Sequence, residues 1–265
     1  MTRKVKTVDL ISVIVPVFNQ EKTIKQDLAR IDKAMDATRF NYEIIAVIDG
    51  KEKDASFGQA KELKLPNLKV VGYRENQGKG YAIRYGMARS RGDKIAFIDA
   101  GMDIDPNGIS MILEHMEWYG ADIIVGSKRH LASKVDYPLT REVMSRVYHR
   151  LVWLLFGLRV SDTQAGLKVF RRQVLKKVLP RMLVKKFAFD VELLAIAKFL
   201  GFEKIYEAPI KLNRERFEFS STIAWSTAFE MVWNTLAVFY RLKILHYYDN
   251  GNWRAWPKDP KLKIN

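Results

Sequence analysis

The chain has 265 residues, 48% of them hydrophobic, and its 45 Lys and Arg against 30 Asp and Glu give a net charge of +15. This composition excludes a collagen-like or globally disordered chain, and the absence of Cys excludes disulfides, thiolate metal sites and a cysteine nucleophile. There is neither a secretory leader nor an uninterrupted run of about 18 apolar residues, so we expect a cytoplasmic protein without a transmembrane helix.

Most of the positive charge falls in one stretch of the chain. Residues 126–186 contain 15 basic and 3 acidic side chains, whereas residues 1–125 contain 19 and 18. A local excess of this size indicates a polyanionic partner, namely nucleic acid, an anionic membrane surface or a phosphorylated substrate. The alternative is a solvated surface that only keeps the protein soluble.

Short apolar runs rich in β-branched residues predict five strands, and helical spacing of apolar residues predicts helices between them. The strands are expected over 10–17, 42–48, 68–71, 94–98 and 121–125. The helices are expected over 21–37, 80–90 and 109–118. Alternation of strands and helices predicts an α/β fold with a mostly parallel sheet flanked by helices.

Ligands of such sheets bind beyond the carboxyl ends of the strands, so the residues that follow each strand are candidates for a site. These residues are polar, and we expect them to meet in one crevice. They are Asn19, Glu21, Asp49, residues 74–80, residues 99–103 and residues 127–129.

Three carboxylates, Asp99, Asp103 and Asp105, lie within seven residues after the fourth predicted strand. They repel one another unless a cation neutralises them, and their hard oxygen ligands suit Mg²⁺ or Mn²⁺. The alternative is that Asp105 caps the next helix and the other two are only solvated.

Several motifs together resemble those of family 2 glycosyltransferases of the GT-A fold. They are Val15-Pro16-Val17-Phe18-Asn19 with Glu21, Asp49-Gly50, residues 74–80, and Phe97-Ile98-Asp99-Ala100. Residues 126–129, 162–170, 189–194 and 207–210 look like the polyprenyl-phosphate sugar transferase branch, the enzymes similar to dolichol-phosphate mannosyltransferase. The resemblance covers residues 10–217, so we expect a catalytic domain over 1–217 and a separate amphipathic and aromatic segment over 218–265.

The resemblance implies a role for each matching residue. The nucleoside pocket would be lined by Pro16, Asn19, Glu21 and Asp49, with Lys79 beside the nucleotide. The family's metal motif has two Asp separated by one residue, whereas this chain has Gly101 in the second place. Asp99 and Asp103 are therefore the expected ligands of Mg²⁺ or Mn²⁺.

The resemblance also implies the reaction. A sugar would pass, with inversion, from a nucleotide diphosphate sugar, GDP-mannose or a UDP-hexose, to a polyprenyl phosphate. The expected catalytic residues are Asp99, Asp103 and Arg129. Further contacts with the substrates are expected from Lys128, Arg141, Gln164, Arg214 and Arg216.

Two further segments are predicted to be amphipathic helices. One carries Arg141, Arg146 and Arg150 beside an apolar stripe, and the other falls within residues 219–240, where Glu230 is the single charged residue. Each helix either packs on the domain or lies on an anionic membrane surface. The second possibility predicts a peripheral protein on the cytosolic face of a membrane.

Other functions are also compatible with the sequence. A transferase of the same fold with a saccharide hydroxyl acceptor would need a catalytic carboxylate, for which Asp162 is the candidate. A nucleic-acid-binding protein would use the net charge but would need exposed aromatic residues among the basic ones, so no nucleic-acid partner is expected. A binding module without catalysis would account for Gly101.

Overall fold

A computed structural model describes residues 9–130, 133, 139–212 and 225–264. Its strands are β1 (Leu10–Val17), β2 (Asn41–Asp49), β3 (Leu68–Tyr73), β4 (Lys94–Ile98), β5 (Ile123–Ser127), β6 (Leu167–Arg171) and β7 (Ile205–Pro209). They form one sheet in the order β3-β2-β1-β4-β6-β5-β7. Strand β6 is antiparallel to β4 and β5, and the other pairs are parallel.

Helices flank this sheet. They are α1 (Ile24–Asp36), α2 (Ser56–Glu62), α3 (Lys79–Met87), α4 (Gly108–Tyr119), α5 (Leu139–Phe156), α6 (Arg172–Val178), α7 (Phe189–Phe199) and α8 (Trp225–Lys243). Short 3₁₀ turns follow at Leu179–Arg181, Asn250–Ala255 and Pro260–Leu262. The predicted α/β class with a mostly parallel sheet is confirmed.

The five predicted strands are present, with small shifts at their ends. Strand β4 is buried along its whole length and β1 is buried from Ile11 onward, as expected for strands covered on both faces. The fifth begins at Ile123 rather than at residue 121. The three predicted helices correspond to α1, α3 and α4.

Helix α7 is one of the elements that the sequence pattern did not predict. All of its residues from Phe189 to Ala197 are buried, including Asp190 and Glu192. A helix that is covered on every side has no apolar stripe, so its periodicity is weak. Strand β6 and helix α6 follow each other without a connecting loop, which hides the boundary between them.

The reversed direction of β6 brings one loop to the functional edge of the sheet. Strand β6 begins where its neighbours β4 and β5 end, because Ile98 pairs with Leu167. Just before β6, the backbone carbonyl of Gly166 accepts the Asp99 backbone N–H at 3.0 Å. The loop formed by residues 162–166 therefore lies against the end of β4.

The last residues of the chain pack on α3 and α7. Tyr248 is fully buried, and its hydroxyl donates to Glu192 at 2.7 Å. The Tyr81 hydroxyl on α3 donates to Asp259 at 3.2 Å, and Arg89 donates to the Lys261 carbonyl at 2.8 Å. The predicted division of the chain at residue 217 stays a prediction.

Helix α8 packs on α5 through one side. The hydroxyls of Tyr148 and Thr235 lie 2.8 Å apart, and the rings of Phe156 and Phe239 meet edge to face at 6.2 Å. Both predicted amphipathic helices are thus present. Across the described part of the chain, no helix combines the length and apolar character that a membrane crossing needs.

Candidate active site

Most of the predicted site residues lie along one edge of the sheet. Strands β1 to β5 are parallel, so their carboxyl ends and the residues that follow them share this edge. Strand β6 contributes its amino end there, together with residues 162–166. The strand-end residues therefore share one edge of the sheet, and their meeting in one crevice stays a prediction.

Asp99 occupies the centre of this edge, directly after β4. Its Oδ2 atom accepts a hydrogen bond from the Lys79 ammonium, with an Nζ to Oδ2 distance of 2.7 Å. Its Oδ1 atom is buried and has no hydrogen-bond partner among the described residues. The side chain is 33% exposed as a whole, with one oxygen neutralised by Lys79 and the other buried without a hydrogen-bond partner.

Gly166 leaves the space that the Asp99 carboxylate occupies. A Cβ atom at position 166 would lie 2.1 Å from Asp99 Oδ2 and 2.7 Å from Asp99 Cγ. Atoms do not approach so closely without displacement, so any side chain at position 166 would push the carboxylate away from the end of β4. The absence of a side chain here therefore positions Asp99.

Lys79 is the first residue of α3, and its ammonium reaches the Asp99 carboxylate. Burial alone would lower the pKa of Lys79, but the charges of Asp99, Asp190 and Asp103 outweigh it and hold the pKa above its ordinary value. Lys79 therefore remains a cation at neutral pH. Its side chain is 22% exposed, so it can still reach a bound ligand.

A buried ion pair lies beneath these groups. Lys168 of β6 and Asp190 of α7 are 1% and 3% exposed, and their Nζ and Oδ1 atoms lie 2.6 Å apart. The Lys168 ammonium also donates to the Ala165 carbonyl at 2.6 Å, so the pair supports the loop that carries Gly166. Both residues belong to motifs that the sequence analysis noted, but their pairing depends on the fold and was not predicted.

The loop that follows Asp99 takes an unusual backbone path. Gly101 has a φ of +91° and Met102 a φ of +59°, both in the left-handed region. The Gly101 N–H donates to the buried Asp27 carboxylate at 3.2 Å. An Asp at position 101 would be strained by this backbone, so the second Asp of the family's metal motif does not fit here.

Asp103 and Asp105 behave differently within this loop. Asp103 is exposed, and its charge reaches Lys79. Asp105 Oδ1 accepts the Asn107 N–H at 3.0 Å and closes the turn before α4. The N-cap position belongs to Asn107 rather than to Asp105 as predicted, although Asp105 does act at the start of that helix.

The donor groups fit a hard divalent cation. Asp99 Oδ1 is a carboxylate oxygen without a hydrogen-bond partner among the described residues, and the exposed Asp103 lies four residues further along the chain. No three His, Cys, Asp or Glu side chains within the described ranges form a cluster that could hold a metal alone. This agrees with the usual coordination of Mg²⁺, in which one or two carboxylates act together with substrate phosphates and water.

Some of the residues predicted to line the nucleoside pocket are buried, and others are exposed. Asp49 is 3% exposed, and its two oxygens accept the backbone N–H groups of Gln77 at 2.7 Å and Gly78 at 2.9 Å. It therefore fixes the turn before Lys79. Pro16 is buried within β1, whereas Asn19 is exposed.

Glu21 also holds a loop. Its side chain accepts the Ala55 N–H at 3.0 Å, and its own N–H donates to Asp54 at 3.1 Å. These contacts join the start of α1 to the loop after β2. Direct contact of this residue with a nucleoside stays a prediction.

The predicted acceptor residues follow β5 and are partly buried. The Lys128 backbone N–H donates to Asp162 Oδ2 at 3.3 Å, and Arg129 is held through its backbone by Ser127 Oγ at 3.2 Å. Gln164 lies in the turn before β6, and its side-chain nitrogen is buried without a hydrogen-bond partner among the described residues. This amide is thus available to a ligand.

Glu207 of β7 organises the same region. It accepts the backbone N–H groups of Ser161 at 2.7 Å and Asp162 at 3.1 Å, and also the Ser161 hydroxyl. The predicted residue Arg141 lies within α5, and its side chain is not among those described. Arg214 and Arg216 lie outside the described residues.

Comparison with known proteins identifies the family. Residues 12–179 match the family described as glycosyl transferase family 2. The dolichyl-phosphate beta-glucosyltransferase of Homo sapiens is 31% identical over 259 residues, which cover 92% of this chain and 77% of that protein. The enzyme of the same name from Drosophila melanogaster is 32% identical over 203 residues, 71% of this chain and 62% of that protein's length.

Solved structures show the same fold. Mannosyl-3-phosphoglycerate synthase from Rubrobacter xylanophilus aligns with a TM-score of 0.69 at 17% identity, over 89% of this chain and 75% of that one. Glucosyl-3-phosphoglycerate synthase from Mycobacterium tuberculosis, solved with Mn²⁺, UDP-glucose and phosphoglyceric acid, aligns at 0.65 and 18%, over 87% and 80%. The chain belongs to glycosyl transferase family 2, and the predicted enzyme class, glycosyltransferase, is confirmed.

Replacing Gly166 tests the position of Asp99. Because the new Cβ would overlap Asp99 Oδ2, we expect Gly166→Ala to destabilise the fold by about 1–3 kcal/mol and to lower transferase activity. Chemical denaturation measures the first effect. Gly58→Ala is the matched control, since nothing lies within 4 Å of a Cβ in that helix and the change should be neutral or stabilising. Equal stability of the two variants would contradict this packing.

Proposed function

We propose that this glycosyltransferase moves a sugar from a nucleotide diphosphate sugar to a polyprenyl phosphate, with inversion at the anomeric carbon. The observation that carries the proposal is the match to the human dolichyl-phosphate beta-glucosyltransferase, which extends over 92% of the chain. A match of that extent includes the acceptor side and the C-terminal helix as well as the nucleotide half.

For the donor we propose UDP-glucose. Both relatives are named as beta-glucosyltransferases, and the Mycobacterium enzyme of the same fold was solved with UDP-glucose. Because UDP-glucose carries an α-linked sugar, a β product requires inversion. GDP-mannose is the alternative donor that the sequence resemblance implied.

The acceptor determines which chemistry the protein must supply. A phosphate oxygen is already anionic at neutral pH, so it attacks C1 of the sugar without a general base. The bond from C1 to the diphosphate oxygen breaks, and its electron pair stays on the departing nucleoside diphosphate. Positioning and charge stabilisation are then sufficient for catalysis.

Cationic residues at the carboxyl edge of the sheet suit positioning and charge stabilisation. Lys79, beside Asp99, would stabilise the charge that the departing diphosphate gains. Lys128 and Arg129 follow β5 and would hold the acceptor phosphate. Asp162 accepts the Lys128 backbone N–H at 3.3 Å, so this carboxylate helps to position the residues that would hold the acceptor phosphate.

A divalent cation would be held by Asp99 and Asp103. Bound there, Mg²⁺ or Mn²⁺ would neutralise charge on the departing diphosphate. The Oδ1 atom of Asp99, without a hydrogen-bond partner among the described residues, and the exposure of Asp103 support this assignment.

An apolar surface on α5 and α8 supports binding to a membrane. Phe229 and Trp233 are 71% and 64% exposed, and their rings stack at 6.4 Å. Leu236, Tyr240 and Ile244 extend the same stripe along α8 and its end, all of them exposed. We call this row of five residues the aromatic stripe.

Helix α5 adds exposed apolar and basic side chains beside α8. Val147 and Leu154 are exposed on it, and so is Arg150. An apolar surface next to basic residues is typical of a protein that lies on anionic lipid. We therefore propose a peripheral protein on the cytosolic face of a membrane, where its lipid acceptor is found.

A product assay tests the reaction. Purified protein is incubated with UDP-glucose, GDP-mannose or UDP-N-acetylglucosamine and a short polyprenyl phosphate, with Mn²⁺, with Mg²⁺ or with a chelator. We expect a glycosylated polyprenyl phosphate from UDP-glucose. We also expect a loss of about 100-fold or more in Asp99→Asn, because the carboxylate that would hold the metal at the departing diphosphate is removed.

Asp105→Asn is the matched control for that assay. Its carboxylate serves the turn before α4, and an amide oxygen can accept the same hydrogen bond, so near wild-type activity is expected. Absence of a lipid product with every donor would refute the proposed reaction. A product rate unaffected by the chelator would refute only the metal assignment.

Flotation with vesicles tests the membrane surface. We expect the protein to float with vesicles that contain anionic lipid and to lose this binding when Phe229 and Trp233 are both replaced by Glu, because charges oppose insertion of the stripe. Binding should also weaken with added salt. Trp118→Glu is the control, since Trp118 is 72% exposed but lies on α4. Equal flotation of all three proteins would argue against the aromatic stripe as the membrane contact.

A further inference from the structure

We infer that Lys79 blocks Asp99 from the metal until a nucleotide diphosphate arrives, so that metal and nucleotide bind as a coupled pair. The inference rests on the proposed function, because it concerns the same metal and the same leaving group. It assigns to Lys79 a second task besides contact with the diphosphate. In the enzyme without ligands, the Lys79 ammonium would neutralise the Asp99 carboxylate in place of the divalent cation.

In the ion pair of Asp99 and Lys79, only Lys79 is free to change position. The Asp99 backbone N–H donates to the Gly166 carbonyl, and the Asp99 carboxylate fills the space where a side chain at position 166 would lie. The Lys79 ammonium lies 2.7 Å from Oδ2 of that carboxylate. Asp99 is held by the backbone around it, whereas Lys79 has a flexible four-carbon stem.

Two cations compete for the same carboxylate. A metal on Asp99 would sit about 2.0–2.1 Å from a ligand oxygen. An ammonium hydrogen-bonded to the other oxygen of that carboxylate would then lie within a few ångströms of the metal, and like charges at that separation repel strongly. Metal binding therefore requires that Lys79 leave Oδ2.

Lys79 leaves Oδ2 most readily when another anion receives it. The charge of Asp103 also reaches Lys79, but that carboxylate would itself hold the metal. The nearby Asp190 carboxylate is buried and already paired with Lys168, so it is not available to Lys79 as a direct partner. A diphosphate at the end of β4 would supply oxygens for the ammonium and for the metal together. The empty enzyme thus disfavours the metal, and the nucleotide removes that penalty.

Titration with Mn²⁺, followed by electron paramagnetic resonance of the free ion, tests the inference without any turnover. Wild-type protein should bind Mn²⁺ weakly alone and much more tightly with UDP present. In Lys79→Met, binding of Mn²⁺ alone should tighten by about tenfold or more, since the competing charge is gone. The gain from UDP should shrink in the same variant.

Three further variants make the result decisive. Lys185→Met removes a nearby cation that contacts Gln77 at 3.3 Å and not Asp99, so it should leave the affinity for Mn²⁺ unchanged. Asp99→Asn should lose Mn²⁺ binding with and without UDP. Lys79→Gln provides a second neutral side chain, and circular dichroism verifies that each variant is folded.

The inference is overturned if neither neutral variant at position 79 binds Mn²⁺ more tightly, or if Lys185→Met tightens binding equally. It is also overturned if Asp99→Asn retains the metal. None of these results depends on product formation. A chain that lacked the proposed transferase activity could still show the competition, and an active chain could lack it.

Discussion

The position of Asp99 between Gly166 and Lys79 is the constraint on which the site depends. It follows from one reversed strand. Because β6 runs against its neighbours, its amino end and the preceding loop meet the carboxyl end of β4, and the Gly166 backbone lies directly against Asp99. If β6 ran parallel, this loop would be at the opposite edge. The buried pair of Lys168 and Asp190 then fixes the loop from beneath.

The sequence was sufficient to predict the first half of the fold and the edge on which the site lies. Buried parallel strands such as β1 and β4 are continuous apolar runs, and polar residues follow them, so both features can be recognised from the sequence. The hydrogen-bond partners of these polar residues cannot be recognised in this way. Asp49 was expected to contact the nucleoside, yet its two oxygens hold the backbone of Gln77 and Gly78, 28 and 29 residues away. Such contacts depend on how the loops fold together.

Several of the basic side chains in residues 126–186 bind backbone carbonyl groups within the fold. Arg171 donates to the Ala121 carbonyl at 2.7 Å, and Arg172 donates to the carbonyls of Gly92 and Ser90 at 2.8 Å. Arg181 binds the Tyr248 carbonyl and stacks on Trp256 at 3.9 Å. These guanidinium groups satisfy backbone oxygens that would otherwise lack donors. Part of the charge therefore stabilises the fold, and Lys128 and Arg129 lie at the functional edge, after β5.

In the proposed function, a nucleotide half built on β1 to β4 would meet an acceptor half built on β5, β6 and α5, with Asp99 at the border between them. The central proposal is that this carboxylate holds the metal and the diphosphate together. The most direct measurement is a crystal structure with Mn²⁺ and UDP, with the metal located by anomalous scattering. We predict an anomalous peak bonded to Asp99, with the Lys79 ammonium on the diphosphate. A peak elsewhere, or a Lys79 still paired with Asp99 beside bound UDP, would contradict the account.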